Sequence, residues 1–288
     1  MGALLDICIP TYNRASHLAQ LLSQLSEFLR IQNLGDQVRV FVSNNCSTDS
    51  TAAVLRAWQA EESSWRLESQ VSNIGMMQNF QYLIEQSDAE YVWLLGDDDL
   101  INSAPGLSEV IYELESHRPG LLLLVDEAEM GRANLDGRRF GSAHEFVKHY
   151  SAHSPDFFRQ MTWISANIFE RKIFDHSLAR CNIKGWYMHS YGIYGGLAAW
   201  NRPVRVASSN YLTGPEIAGA REENFPGTYE IGVEWWRFYV FLSERFGQPA
   251  LETFAGRWAP SRFHRLRTGY GHLRRIGKKL MKLMQFRP

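Results

Sequence analysis

Residues 91–99 read Tyr-Val-Trp-Leu-Leu-Gly-Asp-Asp-Asp, so an unbroken apolar run ends in a glycine and three consecutive carboxylates. Such a run, without polar alternation, is typical of a strand that is buried on both faces of a parallel sheet. Upstream, the apolar runs Leu4–Ile9 and Val38–Val42 are each followed by a polar loop and then by apolar residues at helical spacing. Strands that alternate with helices predict an α/β fold whose mainly parallel sheet is flanked by helices.

The alternation continues to residue 125 and then weakens. We therefore predict a first α/β half at residues 1–125, a second half of the same domain at 126–260 and an appended tail at 261–288. The segment Phe157–Phe174 is rich in aromatic residues but has no clean period, so no element is predicted there. The further predicted elements are the strands Trp65–Val71, Leu121–Val125 and Val204–Ala207 and the helices Ile193–Trp200, Val233–Phe246 and Gly271–Phe286.

The composition bounds the class of protein. The chain has 288 residues, 45% of them hydrophobic and 21% charged, as in folded globular proteins. No stretch approaches the ~20 apolar residues of a membrane-spanning helix, and the first residues turn acidic at Asp6 before a signal-peptide core develops. Cys8, Cys46 and Cys181 lie far apart, which argues against a disulfide framework or a zinc site. These features predict a cytoplasmic protein without a membrane span.

Polar side chains cluster directly after each of the first four predicted strands. In open parallel sheets, ligands bind at the carboxyl ends of the strands, so these clusters are candidate site residues. Each alone is also explained by turn chemistry, since Asn, Asp, Ser and Gly favour loops and helix starts. The four clusters are Pro10–Arg14, Asn44–Asp49, Ser72–Gly75 with Asn79, and Gly96–Asp99.

The three carboxylates of the last cluster repel one another unless a cation or hydrogen-bond donors compensate their charge. Hard oxygen ligands of this kind suit Mg2+ or Mn2+, which usually take one or two protein carboxylates beside water and phosphate oxygens. Asp97–Asp99 are therefore predicted to lie at a divalent metal site. The alternative is an exposed acidic helix N-terminus that the helix dipole favours.

Together the motifs resemble those of family 2 glycosyltransferases with the GT-A fold, a Rossmann-like α/β architecture. Ile9-Pro-Thr-Tyr-Asn-Arg14 after the first strand, Ser47-Thr-Asp-Ser-Thr51 after the second and the Asp-x-Asp element Asp97–Asp99 occur in that family's order and spacing. Cys8-Ile-Pro-Thr-Tyr-Asn-Arg14 and Ser72-Asn-Ile-Gly75 also resemble the branch that contains abequosyltransferases and other O-antigen sugar transferases. The resemblance is strong in the first half of the chain and weak beyond it.

The resemblance implies a metal-dependent enzyme that moves a sugar from a nucleoside diphosphate. Asn45 would face the base edge, Asp97 the ribose or sugar, and Asp99, with Asp97, a Mn2+ or Mg2+ ion on the diphosphate. That ion would act as a Lewis acid on the leaving group. The residues implied to bind the nucleotide sugar are Pro10, Thr11, Tyr12, Arg14, Asn44, Asn45, Asn73, Asn79, Asp97 and Asp98.

The second cluster departs from the family, since many relatives carry Asp where this chain has Asn44 and Asn45. A carboxylate only accepts a hydrogen bond, as from the N3–H of uracil, whereas an amide also donates one, as cytosine requires. The nucleotide of the sugar donor therefore stays undecided among CDP, UDP and dTDP. The abequosyltransferase resemblance favours CDP.

The proton acceptor that the family implies is also missing. Inverting relatives use an Asp or Glu at a position that falls near residue 189 here, yet His176–Pro215 contains no carboxylate. His189 is the nearest candidate base, since an imidazole titrates near neutrality, and a packed histidine is the alternative. Trp186 and Tyr187 would form a sugar-stacking wall for the acceptor. A retaining reaction stays open, and the fallback bases are Asp175, Glu216 and Glu222.

The tail carries nine Lys or Arg and no Asp or Glu from Ser261 onward. As a basic amphipathic helix over Gly271–Phe286 it would lie on an anionic membrane surface. A helix docked on the body and a nucleic-acid site are the alternatives. The enzyme interpretation favours the membrane over nucleic acid, because a polyprenyl-linked glycan acceptor resides there. We therefore expect a peripheral enzyme on the inner face of the cell membrane that builds lipid-linked O-antigen or another bacterial surface polysaccharide.

Two other functions compete with this interpretation. A Mg2+-dependent nucleotidyltransferase would share the sheet and the carboxylates, but no glycine-rich, lysine-bearing phosphate loop follows the first strand. A catalytically inactive nucleotide-sugar-binding scaffold subunit would keep the pocket and lack the base.

Overall fold

The computed structural model describes residues 2–125, 130–131, 133–135, 138–154, 157–208, 212–213 and 228–247. Strands and helices alternate through the first half as predicted. In chain order, the elements of the first half are β1 (Leu5–Thr11), α1 (Ala15–Ile31), β2 (Val38–Asn44), α2 (Thr51–Glu61), β3 (Arg66–Ser69), α3 (Met76–Gln86), β4 (Tyr91–Leu94), β5 (Leu100–Ile101), α4 (Ala104–His117) and β6 (Leu121–Val125). Those of the second half are β7 (Arg139–Phe140), α5 (Ala143–His153), α6 (Phe157–Thr162), β8 (Asn167–Glu170), α7 (His176–Cys181), α8 (Met188–Trp200), β9 (Val204–Ser208), β10 (Leu212–Thr213) and α9 (Thr228–Phe246).

The main sheet has the strand order β3-β2-β1-β4-β8-β6-β9-β7 within the described ranges. β1 pairs in parallel with β2 and β4, β2 with β3, and β6 with β9. β8 runs antiparallel between β4 and β6, and β7 runs antiparallel to β9. The prediction of a mainly parallel sheet flanked by helices is confirmed. The sequence does not reveal β8, because four buried residues show neither a long apolar run nor an alternation.

Two apolar clusters fill opposite faces of the sheet. Along β1 the side chains of Leu5, Ile7 and Ile9 join one cluster, while Cys8 joins the other, as the twofold alternation of a strand requires. The leucines of α1 recur at helical spacing and cover the first of these faces. Because apolar side chains close both faces, polar groups concentrate at the edges of the sheet.

α8 is a helix of the core. Its residues from Met188 to Leu197 are all buried, and its glycines allow other segments to approach the helix backbone closely. At Gly196 an added Cβ would lie 1.6 Å from the carbonyl oxygen of Ile173. A helix that is buried on all sides shows no amphipathic period, so the sequence predicts only the later part, Ile193–Trp200.

The register brings the ends of the first strands to one edge of the sheet. Thr11 at the end of β1 is paired with Asn44 at the end of β2, and Asn44 is paired with Ser69 at the end of β3. Cys8 of β1 is paired with Leu94, the last residue of β4. The loops after these four strands carry the four polar clusters, so the clusters share this edge.

None of the helices in the described ranges is long and apolar enough to span a membrane. The predicted tail at 261–288, with its helix Gly271–Phe286, lies outside the described residues. The fallback bases Glu216 and Glu222 also lie outside them.

Candidate functional site

Two carboxylates of the loop after β4 are buried. Asp97 is 8% exposed and Asp99 is 5% exposed, and Thr11 Oγ1 donates a hydrogen bond to Asp97 Oδ2 over 2.7 Å. Burial disfavours the charged form, so it raises the pKa of Asp97 to about 7 and the pKa of Asp99 to about 6. A cation bound between these groups would replace the solvation that both carboxylates have lost.

Asp98 stays at the rim of the same loop. Arg14 Nη1 lies 3.2 Å from Asp98 Oδ2, and both side chains are partly exposed. Ion pairs of this kind contribute little to stability. A guanidinium matches the geometry of phosphate as well as that of carboxylate. Arg14 can therefore bind a phosphate group in place of the Asp98 carboxylate.

Asp99 is held by residues from the second half of the chain. Ser165 Oγ and Trp163 Nε1 both donate to Asp99 Oδ2, the indole over 3.3 Å. Ser165 Oγ in turn accepts from the backbone N–H of Gly96 over 2.9 Å. Sequence reasoning missed Ser165 and Trp163, because both lie in the aromatic-rich segment Phe157–Phe174 that shows no period.

Gly96 provides the space into which the carboxylates fold back. An added Cβ at this position would lie 2.9 Å from Asp99 Oδ2 and 3.1 Å from Asp98 Oδ1. Both distances are shorter than ordinary van der Waals contacts, so a larger residue would displace the carboxylates. The glycine between the apolar run and the three aspartates is therefore part of the site.

The donor set of this loop fits a hard divalent cation. Asp97 and Asp99 each accept hydrogen bonds on Oδ2, and none is found on Oδ1 of either carboxylate within the described residues. Carboxylate oxygens suit Mg2+ and Mn2+, with one or two supplied by the protein. No group of three or more His, Cys, Asp or Glu side chains in the described part of the chain is arranged for a metal. Asp97 and Asp99 would therefore share the ion with phosphate oxygens and water.

Three of the predicted nucleotide contacts turn into the protein. Asn44, Asn45 and Asn79 are 1%, 3% and 2% exposed. The oxygen and nitrogen of each amide are hydrogen-bonded to the protein itself, so the structure gives these three amides a role in supporting the loops, and their contacts with a nucleotide stay predictions. Asn45 Oδ1 accepts from the N–H of Ile74 and Asn45 Nδ2 donates to Asn73 Oδ1. The amides of Asn44 and Asn79 bond with Ser69, Ser47 and Ser43.

The remaining predicted contacts of the first half lie at the open edge. Tyr12 is 43% exposed, Asn73 is exposed, and Pro10 and Arg14 are half-buried. Thr11 is buried and reaches the site through its hydrogen bond to Asp97. The edge thus offers an aromatic ring, a guanidinium and an amide to a ligand.

Asn13 joins the loops that follow β1 and β2. Its φ of 55° is left-handed, a conformation that asparagine tolerates better than most residues. Asn13 Oδ1 accepts from the N–H of Thr48, and the N–H of Asn13 donates to Ser47 Oγ, each over 2.8 Å. The two loops therefore hold each other in place without a ligand.

His189 lies in the interior of the protein. It is 1% exposed, its Nε2 contacts the carbonyl oxygen of Thr162 over 3.0 Å, and its ring packs on Phe80. Burial lowers the pKa of His189 to about 4, so the ring is neutral at pH 7. A general base must reach the hydroxyl that it deprotonates. Burial therefore contradicts the prediction that His189 is the base. The alternative interpretation, a histidine packed in the interior, fits the structure.

The other residues predicted near the acceptor have mixed placements. Trp186 and Tyr187 are half-buried in the loop before α8. Asp175 caps α7, since its carboxylate accepts from the N–H of Leu178 over 2.9 Å. Among the described residues, Asp175 thus has a role at the start of α7, and a contact of Trp186 and Tyr187 with an acceptor sugar stays a prediction.

Glu234 of α9 is a carboxylate that spacing along the chain does not reveal. An added Cβ at Gly185 would lie 2.6 Å from Glu234 Oε2, so this carboxylate faces the loop that carries Trp186 and Tyr187. Glu234 Oε1 also pairs with Arg237 Nη1 over 2.6 Å. The fold supplies a carboxylate to this loop from a distant helix.

Comparison with known proteins identifies a family and a curated relative. Glycosyl transferase family 2 matches residues 6–176. Abequosyltransferase RfbV of Salmonella typhimurium is 30% identical over 99 residues, which span 34% of this chain and 29% of that protein. The chain thus matches less than a third of the length of this relative.

Several solved structures share the fold. S. aureus TarS 1-349 has a TM-score of 0.62 at 14% identity, covering 93% of this chain and 75% of that one. Its complex with UDP-GlcNAc has a TM-score of 0.59 at 17% identity, covering 89% and 71%. Mannosyltransferase PcManGT from Pyrobaculum calidifontis, in complex with GDP-Man and Mn2+, has a TM-score of 0.55 at 14% identity, covering 91% and 76%. At these identities the likeness is one of fold.

Proposed function

This chain belongs to glycosyl transferase family 2, and from that premise we propose that it transfers a sugar from a nucleoside diphosphate to a glycan acceptor. One observation carries the proposal: Asp97 and Asp99 are buried in one loop at the carboxyl edge of the sheet, with Arg14 beside them. A nucleoside diphosphate supplies the phosphate oxygens that would complete a metal site of this kind. Its negative charge also complements the guanidinium of Arg14.

A bound Mn2+ or Mg2+ supplies a Lewis acid that makes the nucleoside diphosphate a better leaving group. In this chain Asp97 and Asp99 would hold it. Thr11 keeps Asp97 oriented through its hydrogen bond, and Arg14 is placed to bind a phosphate oxygen at the rim. Tyr12, exposed at the same edge, offers its ring to the nucleobase. The Mn2+ in the PcManGT complex supports this metal.

We propose a CDP-, UDP- or dTDP-linked hexose or deoxyhexose as the donor. The amide of Asn45 turns toward the loop Val71–Gly75, so the argument from this residue does not select the base. UDP-GlcNAc in the TarS complex supports a uridine nucleotide. The abequosyltransferase match, over its short stretch, supports a sugar of the O-antigen or of another bacterial surface polysaccharide.

Glu234 is the base of the proposed reaction. It would take the proton of the acceptor hydroxyl while that oxygen attacks the anomeric carbon and the bond to the diphosphate breaks. Its carboxylate faces the loop before α8, and α8 packs on Thr162, the neighbour of Trp163, which donates to Asp99. The loop that Glu234 faces also carries Trp186 and Tyr187, the residues predicted to contact the acceptor sugar.

The acceptor in this proposal is a glycan on a polyprenyl carrier, and the tail attaches the enzyme to the membrane surface that holds it. The tail has nine cations without a carboxylate, each worth about 1 kcal/mol near anionic headgroups. Flotation with vesicles of phosphatidylglycerol tests this attachment. A chain that ends at Ala259 should lose the binding, and binding that persists would place the membrane contact in the body.

The function itself is tested with the full chain and a panel of CDP-, UDP-, dTDP- and GDP-sugars, with Mn2+ or with EDTA. We expect release of the nucleoside diphosphate and sugar transfer to a polyprenyl-linked glycan with at least one pyrimidine donor, only when metal is present. Nucleotide binding without turnover would favour the scaffold subunit. In a parallel assay with a nucleoside triphosphate and a sugar phosphate, release of pyrophosphate would favour a nucleotidyltransferase.

A further inference from the structure

Ser165 connects the two halves of the chain at the carboxylate loop. It is fully buried in the 3-10 turn Ile164–Ala166, directly before β8. Its carbonyl oxygen accepts from Trp93 Nε1 over 2.8 Å, which fixes the turn against the end of β4. The position of the Ser165 hydroxyl is therefore set by the sheet.

The direction of each hydrogen bond at this hydroxyl follows from the groups involved. The N–H of Gly96 only donates, so Ser165 Oγ accepts there. The single proton of the hydroxyl is then given to Asp99 Oδ2. Trp163 Nε1 also only donates, and it reaches the same oxygen. Two donors thus hold one oxygen of Asp99, and its other oxygen has no hydrogen bond within the described ranges.

We propose that Ser165, assisted by Trp163, is a positioning residue that fixes Asp99 Oδ1 for the divalent ion of the donor site. The inference rests on the proposed function, since it takes Asp99 as a metal ligand. When hydrogen bonds hold one oxygen of a carboxylate, the second oxygen also has a fixed position. The hydrogen bond between the N–H of Gly96 and Ser165 Oγ fixes the backbone of the loop as well. Groups that orient a metal ligand in this way change metal affinity by about 10–100-fold.

The test compares Ser165→Ala with Ser190→Ala in the full chain. Ser190 is equally buried, and its Oγ donates to the carbonyl oxygen of Met161 over 3.0 Å, so its loss removes a buried hydroxyl without touching the carboxylate loop. Mn2+ affinity is measured by electron paramagnetic resonance with UDP and, separately, with CDP. We expect the dissociation constant to rise about 10–100-fold in Ser165→Ala and to stay at the wild-type value in Ser190→Ala.

A second variant keeps the test decisive if Ser165→Ala does not fold. Trp163→Phe retains an aromatic ring and removes only the indole donor, whose bond to Asp99 is 3.3 Å long. We expect a smaller weakening of Mn2+ binding, at the lower end of the same range, about 10-fold. Thermal unfolding in EDTA records how much of each variant is folded. Saturating Mn2+ should restore nucleotide binding, as it would not for a protein that has lost its structure.

The outcomes separate this inference from the proposed function. Wild-type protein that binds no Mn2+ with any of the nucleotides would overturn both. Wild-type protein that binds Mn2+, with folded Ser165→Ala or Trp163→Phe binding it equally well, would overturn the positioning role alone. Equal weakening in Ser165→Ala and Ser190→Ala would also overturn it, because the effect would then be general destabilisation.

Discussion

The two halves of the chain build the candidate site in different ways. In residues 2–125 the site residues follow directly after strands, and their loops are bonded to one another, as Asn13 is to Ser47 and Thr48. In the second half, Trp163, Ser165 and Glu234 come from a turn and a helix that are remote in sequence. The first half therefore presents the groups that are proposed to bind the donor, whereas the second half supports one of them and supplies the proposed base. Local sequence motifs reveal only the part of such a site that the first half supplies.

Replacement of Asp99 tests the first half with the largest expected effect. Asp99→Asn keeps the size of the side chain and an oxygen for the donors Ser165 and Trp163, but it removes the charge that is proposed to hold the metal. We expect kcat/KM to fall by about 10⁴-fold, since a Lewis acid contributes several kcal/mol. Asp98→Asn, at the partly exposed rim beside Arg14, should lose less than about tenfold, as for a surface ion pair. Undiminished turnover in EDTA would contradict the assignment.

Replacement of Glu234 tests the second half. Glu234→Gln keeps the shape of the side chain and removes its ability to take a proton, so we expect kcat to fall by about 10³-fold with little change in donor affinity. Asp175→Asn, which alters a carboxylate that caps α7, should leave kcat near the wild-type value. A loss below tenfold in Glu234→Gln would remove the base role. The anomeric configuration of the product, determined by NMR, would then show whether the reaction retains it.

The same contrast explains what the sequence predicts and what it does not. Leu121–Val125 is confirmed residue for residue, and β1, β2 and β4 begin or end within two residues of their predicted bounds, because buried parallel strands are continuous apolar runs. β3 is shorter than the predicted Trp65–Val71, because the apolar end residues Trp65 and Val71 extend the pattern but are not paired with β2.

The site residues of the second half are not predicted from the sequence, and the reason is also physical. Spacing along the chain points to the neighbourhood of residue 189, but it carries no information about exposure, and His189 turns out to be buried. The carboxylate that faces this loop comes from Glu234, which only the packing of α9 brings there. Ser165 is one serine among many in the sequence, and its role depends on β8 entering the sheet between β4 and β6.

The pH dependence of stability tests whether Asp97 is as desolvated as its position indicates. Burial raises the pKa of Asp97 from its ordinary 3.8 to about 7. Between these values the folded protein binds more protons than the unfolded chain, so the free energy of unfolding falls as the pH rises from about 4 to about 7. Asp97→Asn has no such group. In EDTA we expect it to exceed the wild type by about 2–4 kcal/mol at pH 8 and to match it at pH 4.

Denaturant unfolding at the two pH values measures this difference, with Mn2+ as the complementary condition. Because the metal binds the deprotonated carboxylate, Mn2+ with UDP should stabilise the wild type at pH 8 and have little effect on Asp97→Asn. Parallel slopes of stability against pH in the two proteins would show that Asp97 is solvated, and the comparison between buried and rim carboxylates would lose its basis.

The smallest expected effect concerns Asn45 in the first half. Its replacement distinguishes a residue that supports the loop from a residue that recognises the nucleobase. Asn45→Ala removes one hydrogen bond to Asn73 Oδ1 and one from the N–H of Ile74, and neither bond reaches a ligand. We expect affinity for UDP and for CDP to weaken together by about tenfold, the value of one or two such bonds, with their ratio unchanged. A change in the ratio beyond about threefold would restore the role of Asn45 in reading the base.

Asn73→Ala sharpens this last prediction, because Asn73 is exposed but shares one of the two hydrogen bonds of Asn45. If the shared bond holds the loop, the double variant should lose less affinity than the sum of the single variants, with a coupling energy of about 0.5–1 kcal/mol. If instead Asn45 touches the nucleobase and Asn73 the ribose independently, the two losses should add. Isothermal titration of UDP and CDP into the four proteins in saturating Mn2+ distinguishes these cases, since the metal site is then the same in each.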